Sequence, residues 1–274
     1  MLNTGTRRDL AASSVVTALV SLLGVVAFSY PFILPALPQT GDAGVRLEDA
    51  PIIFGLLVPL LLVLLLAELS NGRLNSKLVA ALGMLVAINA ILRLPVGVGD
   101  SPTFFFLPIL LGYVYGARFG FLHGALSLFV SALLTVGIGP WLPFQMLAIG
   151  WLGMGAAALH LLRLPAGSWR EVIALVSYSY LVCMLFGALM NLYFWPFTGA
   201  GALGWQPGLS LVETTQRYWA FYVISGSLAW DALRAISTAA IILLLGKPLL
   251  RLLRRFRSRF FWTDETEPTF VTTP

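Results

Sequence analysis

The chain alternates about eight apolar runs with short polar connections, and its basic residues fall mostly on one side of that alternation. Apolar residues make up 58% of it and charged residues only 11%, with a mean hydropathy of +0.88. A soluble chain cannot hide that much apolar surface behind so little charge, whereas a bilayer removes the need. The sequence therefore predicts an all-α, polytopic membrane helix bundle. The predicted spans are 11–34, 51–69, 77–94, 103–117, 119–138, 142–162, 171–194 and 218–246. The fourth is short and the last is long, differences that tilt or continuation into water absorbs. The connection at Ala117–Arg118 is so tight that the fourth and fifth runs alternatively merge into one buried helix, which inverts everything downstream. The first run follows Arg7 and Arg8 like a signal peptide. It is longer than a signal core and more spans follow it, so it reads as a retained helix.

Orientation follows from the basic residues. With eight spans, Arg7, Arg8, Arg73, Lys77, Arg118, Arg163, Arg170, Lys247, Arg251, Arg254, Arg255, Arg257 and Arg259 lie inside. Only Arg46, Arg93 and Arg217 fall on or near the outside, and Arg234 lies within the last span. The expectation is a multi-pass protein of the cell membrane with both termini cytoplasmic and external connections at 35–50, 95–102, 139–141 and 195–217. The basic balance, with a sequence pI of about 9.7, then points to the membrane surface rather than to nucleic acid.

Several chemistries lack their residues. Cys183 is the only cysteine, so no internal disulfide forms, and two histidines, His123 and His160, are too few for a histidine-based metal cage. There is no phosphate-binding glycine loop with Lys and Ser/Thr, no catalytic-triad signature and no His-Glu metal motif. No catalytic residue, metal or cofactor is assigned, and an ATP motor would have to sit on another chain.

What remains is a set of polar and aromatic residues inside or beside the spans. Asp231 and Arg234 lie three apart in the last run, close enough to pair, as an intramembrane charge must. They read either as a packing lock or as a ligand contact. Asn89 and Arg93 share one face of the third run near its outer end, with Asp100 just beyond; Arg93 either snorkels to the interface or binds an anionic or amide-rich ligand. Trp141, Gln145, Asn191, Tyr193, Trp195, Tyr218, Trp219 and Tyr222 gather toward the outer side. Aromatic walls with sparse amides and hydroxyls suit a bulky organic ligand, and equally an interfacial belt. The 195–217 connection, rich in Trp, Pro and Gly, is either a lid over an external pocket or part of that belt. Small residues at helical spacing, Ala80, Gly83 and Ala87 among them, allow close helix contact. The basic segment after Lys247 anchors against headgroups or a cytoplasmic subunit.

Three stretches, in this order, carry a family resemblance: Leu110-Leu111-Gly112-Tyr113-Val114-Tyr115-Gly116; Gly139-Pro140-Trp141-Leu142-Pro143-Phe144-Gln145 with Trp151-Leu152-Gly153-Met154-Gly155; and Trp230-Asp231 with Arg234. From about Leu78 to Phe260 the chain resembles a substrate-specific (S) component of an energy-coupling factor (ECF) transporter, most nearly of the cobalamin type. The resemblance implies a six-helix core over 77–260 that captures a vitamin or related micronutrient from outside. Two N-terminal transmembrane helices in 1–76 and a cytoplasmic tail over 261–274 would flank it, a departure of two spans from the family's usual six. It also implies partners, a membrane coupling protein and two cytoplasmic ATPases, with Ala80, Gly83 and Ala87 on the contacting face. The expected site lies beneath the 195–217 connection, between the third, sixth and eighth runs. Its residues are Asn89, Arg93, Trp141, Gln145, Asn191, Trp195, Tyr222, Asp231 and Arg234. A membrane-embedded enzyme working through Asp231 and Arg234, or a structural membrane subunit, are the competing readings.

Overall fold

The computed structural model describes residues 76–95, 101–198, 201–206 and 208–260, together with 18–19, 21–29, 32, 55, 58–59, 61–63 and 66. Its helices are α1 (Ser76–Leu92), α2 (Pro102–Tyr115), α3 (Ala117–Leu134), α4 (Leu142–Gly155), α5 (Trp169–Phe194), α6 (Leu211–Ile224) and α7 (Ser227–Phe260). A 3₁₀ segment, Ala156–Leu162, extends α4, and two short 3₁₀ turns, Trp195–Phe197 and Gly201–Leu203, lie between α5 and α6.

The expectation of eight spans with a six-helix core is corrected. Among the described residues four helical stretches are long and apolar enough to cross a membrane: Ala117–Leu134, Leu142–Leu162, Trp169–Phe197 and Ser227–Ser258. Two further apolar helices, Lys77–Leu92 and Pro102–Tyr115, are shorter. The reason is that apolar composition does not separate a helix surrounded by lipid from one surrounded by protein. In α2 every residue from Phe104 to Val114 is buried, and its 14 residues reach only about 21 Å against a hydrocarbon core of about 30 Å. Its apolar surface is met by other helices. The eighth run, 218–246, is two elements, because α6 ends at Ser225–Gly226 and α7 starts anew. The spans read at 11–34 and 51–69, the residue Asp100 and the tail 261–274 lie wholly or largely outside the described residues. Residues 21–29 are helical and lie against α4, where Trp151 Nε1 donates to Ser21 Oγ at 3.0 Å and Phe28 meets Phe144 edge-on at 5.1 Å.

α2 and α3 do not merge. Gly116, with φ of 102°, turns the chain back between them in a conformation that a residue with a Cβ rarely adopts. The reversal is tight because three glycines meet. A Cβ on Gly112 would strike the Gly153 carbonyl of α4, and one on Gly120 would come within 2.6 Å of the Gly112 Cα. Around α2 pack α3, α4 and α7, with α1 laid mainly on α3 and α5 paired with α7.

α6 begins at a reciprocal cap. Glu213 N donates to Ser210 Oγ at 3.3 Å, while Ser210 N donates back to the Glu213 carboxylate at 3.0 Å. The bonds from Ser210 hold that exposed carboxyl below its usual range. α7 is 34 residues, about 51 Å, so it outruns the hydrocarbon and carries its basic end beyond it. That end is clamped. Arg254 pairs with Glu171 at the start of α5, Tyr113 donates to the same carboxylate at 2.8 Å, and Arg257 donates to the Val114 carbonyl at 2.7 Å.

Two glycine substitutions should separate packing from propensity. Gly112→Ala forces backbone apart and is expected to cost about 1–3 kcal/mol. Gly83→Ala meets nothing within 4 Å and should be neutral or stabilising by up to ~1 kcal/mol. Thermal unfolding in detergent measures both; equal melting temperatures would contradict the glycine contact.

Candidate functional site

The break at Ser225–Gly226 builds the site. Gly226 takes φ of 79°, and α6 folds back on α7 so that Tyr222 donates to Asp231 Oδ2 at 2.8 Å. The other carboxylate oxygen accepts from Arg234 Nη1 at 2.6 Å. Both charged residues are buried, at 3% and 6% exposure, and the Arg234 guanidinium lies 5.4 Å from the ring centroids of Phe105 and Phe186. Asp231 presses onto α5 where Gly187 has no side chain; a Cβ there would overlap the carboxylate. The sequence spacing anticipates the ion pair. It does not anticipate Gly187, or the Phe105 and Phe186 rings that flank the guanidinium.

Asp231 and Arg234 form part of the wall of a cavity of about 380 Å³, completed by Gln145, Phe186, Gly187, Met190, Asn191, Ser225, Gly226, Ser227 and Trp230. A second space of about 280 Å³ shares Gln145 and Met190 with it and is otherwise walled by Pro140, Trp141, Tyr193, Phe194 and Phe197. The two differ sharply in chemistry: one presents carboxylate, guanidinium, amide and hydroxyl groups, the other mainly rings. Gln145 stands between them, and its buried Oε1 meets no protein donor.

Of the residues expected at the site, Gln145, Asn191, Asp231 and Arg234 line the first space and Trp141 the second. Asn191 Nδ2 donates to the Gly187 carbonyl at 2.9 Å. Tyr222 lines neither space and acts through its bond to Asp231. Trp195 is a pin: at 1% exposure it donates from Nε1 to the Leu203 carbonyl at 2.8 Å and packs on Tyr218 at 5.4 Å. Arg93 turns inward, donating to Ser131 Oγ on α3 at 3.3 Å with its guanidinium 5.8 Å from the Phe104 ring. It reaches a separate space of about 10 Å³ that also touches Gln145 and Phe186. Asn89 is fully buried and lines none of the three. Ala80, Gly83 and Ala87 are exposed on the outer face of α1.

Met190, Ser225 and Ser227 were not singled out from sequence, and Trp230 entered only as part of the Trp230-Asp231 stretch that carries the resemblance. The serines flanking Gly226 carried the signal: two hydroxyls around a glycine inside an apolar run mark a break, and a break inside a bundle opens space. Among the described residues no three His, Cys, Asp or Glu side chains group as a metal site.

Removing one partner of a buried pair strands the other. Arg234→Ala is expected to destabilise the protein by about 3 kcal/mol, the low end for a buried pair because the cavity admits some solvation. Asp231→Ala/Arg234→Ala together should lose less than Arg234→Ala alone. Melting temperatures check this, and equal losses in the two variants would mean that the pair is not energetically coupled.

Comparison with known proteins adds the family. No curated protein and no solved structure matches the chain. Residues 77–246, from α1 into the middle of α7, match the family described as the ECF transporter, substrate-specific component. That stretch holds the glycine contact, both larger spaces and the buried ion pair, and it covers more than half of the 274 residues, so this multi-pass membrane chain belongs to the family of ECF transporter substrate-specific components.

Proposed function

We propose that this chain captures a compact vitamin or related micronutrient for an ATP-driven uptake transporter, binding it in the paired cavities around Gln145. Members of its family are transport proteins, not enzymes. The observation that carries the reading is the joining of a polar and an aromatic space at Gln145 and Met190. Small organic solutes are held by apolar walls and oriented by a few polar groups. Here Trp141, Tyr193, Phe194 and Phe197 supply the wall, and Gln145, Asn191, Asp231 and Arg234 the orientation. Met190, unbranched and adaptable, fits the shared boundary to the ligand. Arg93 and Asn89 lie behind this surface, and Tyr222 and Trp195 support it.

Size bears on the narrower, cobalamin-type expectation. The polar space, about 380 Å³, and the aromatic space, about 280 Å³, together fall within the range for small-molecule sites. A corrin ring with its appended nucleotide is far larger, so the cavity favours a smaller ligand.

S components of this family work with a membrane coupling protein and ATPases. The exposed small-residue face of Ala80, Gly83 and Ala87 supports docking of α1 on that coupling protein, since small residues let helix backbones approach closely. With the basic end of α7 on the cytoplasmic side the cavity opens outward, and the basic residues Arg7 and Arg8 support placing the N-terminus on the cytoplasmic side as well. Residues 77–260 then form the capture unit, 1–76 an N-terminal membrane unit and 261–274 a cytoplasmic tail.

The test is a thermal-shift and calorimetry screen of the purified chain against thiamine, riboflavin, biotin, pantothenate and cobalamin. A compact member is expected to bind. Gln145→Ala and Asn191→Ala should each weaken it about tenfold, the worth of one lost hydrogen bond in a dry site. Gly83→Leu should leave that affinity unchanged and abolish capture of the coupling protein. Binding of cobalamin in preference to all the others, or affinity untouched by both amide variants, would contradict the reading.

A further inference from the structure

Among the described residues, Asn89, His123 and Gln145 each hold a buried side-chain atom that meets no protein partner. For Asn89 both amide atoms are in this state, and for His123 the atom is Nδ1. Native interiors rarely leave such groups unmet. Their positions are related. α1 and α3 touch in register: His123 Nε2 lies 3.3 Å from the Leu85 carbonyl, and Arg93 Nη1 donates to Ser131 Oγ at 3.3 Å. Asn89 stands one turn from both Leu85 and Arg93, and Ser127 one turn from both His123 and Ser131. Asn89, His123, Ser127 and Ser131 are all fully buried. A polar seam therefore runs along the α1–α3 contact. At the Arg93 end it meets the space of about 10 Å³ whose wall includes Gln145, and Gln145 is also wall to the ligand cavity.

We propose that a thread of bound water enters from the ligand cavity at Gln145, passes Arg93 and Asn89, and ends at His123. The chemistry selects water over an ion. The proton is assigned to His123 Nε2, which faces the Leu85 carbonyl, an acceptor only, at 3.3 Å and Ser127 Oγ at 3.4 Å; Nδ1 then presents a lone pair. Asn89 presents both an acceptor and a donor. A bare cation is opposed by the Arg93 guanidinium one turn away, and an anion by the Asn89 oxygen and the His123 lone pair. Water donates to both acceptors and accepts from the amide. The 10 Å³ space is at the threshold for a single molecule, so it takes the one water that joins Gln145 to Arg93 at the mouth of the seam. The inference does not depend on which solute the cavity binds.

Hydrogen peroxide is the probe, because it is neutral, little larger than water, and oxidises thiols so that they no longer alkylate. Ser127→Cys is placed on a Cys183→Ala background, with Ser179→Cys as control; both serines are fully buried, but Ser127 Oγ lies 3.4 Å from His123 Nε2 on the seam, whereas the Ser179 hydroxyl donates to the Val176 carbonyl on α5. The purified full chains are exposed to hydrogen peroxide in detergent buffer, quenched, then denatured and alkylated. Ser127→Cys is expected to lose most of its alkylation and Ser179→Cys to keep it. Equal loss or equal retention at the two positions overturns the proposal. Asn89→Leu provides a second measurement with a sign: a dry seam gains stability when unmet polar atoms are removed, so a raised melting temperature overturns the proposal, and an unchanged or lowered one supports it.

Discussion

Placing a carboxylate and a guanidinium among aromatic rings inside a helix bundle is the constraint on which the site depends. Neither Asp231 nor Arg234 is tolerable there alone, and their mutual bond leaves the second carboxylate oxygen to be met. Tyr222 meets it, and reaches it only because the chain breaks at Ser225–Gly226 and α6 folds back over α7. Asp231 in turn needs α5 to come close, which Gly187 allows. The cavity is what remains beside this arrangement: the loop that breaks the helix, the glycine that admits the carboxylate and the pair itself all contribute to its wall.

α7 connects the two polar ends of the molecule. Asp231 lies near its start and Arg254 near its finish, about 35 Å apart along the axis. At the far end Glu171, Tyr113 and Arg254 fix it to α2 and α5. α7 thus links the clamp to the wall of the cavity, with Pro248 inside the helix between them. This suits a subunit that binds a solute at one end and is acted upon by partners at the other.

The sequence showed the chemistry better than the topology. Asp231 with Arg234 was legible because charge inside an apolar run has few acceptable explanations, and i,i+3 spacing supplies one. Trp141 and Gln145 were read from the aromatic and amide residues gathered toward the outer side, and they line the aromatic space together, with Gln145 also on the polar one. The number of spans was not: α2 is as apolar as a lipid-facing helix because protein encloses it on every side, and hydropathy registers the residue and not its neighbour. The eight-run reading also passed over Gly226, since one glycine within a long apolar stretch does not announce a chain reversal. Trp195, expected at the site, is buried with its Nε1 donating to the Leu203 carbonyl, a packing role that its sequence position did not show because an aromatic with a polar tip suits a core and a site alike.

The central claim is that the space beside Asp231 and Arg234 holds the transported solute. The most direct measurement is denaturing mass spectrometry of the chain purified from the membranes of its own host, set against an Asn191→Trp variant whose indole fills that space. The account predicts that a compact organic molecule released from the unmodified protein is missing from a variant that remains monodisperse. The same molecule retained in equal amount by Asn191→Trp would contradict it.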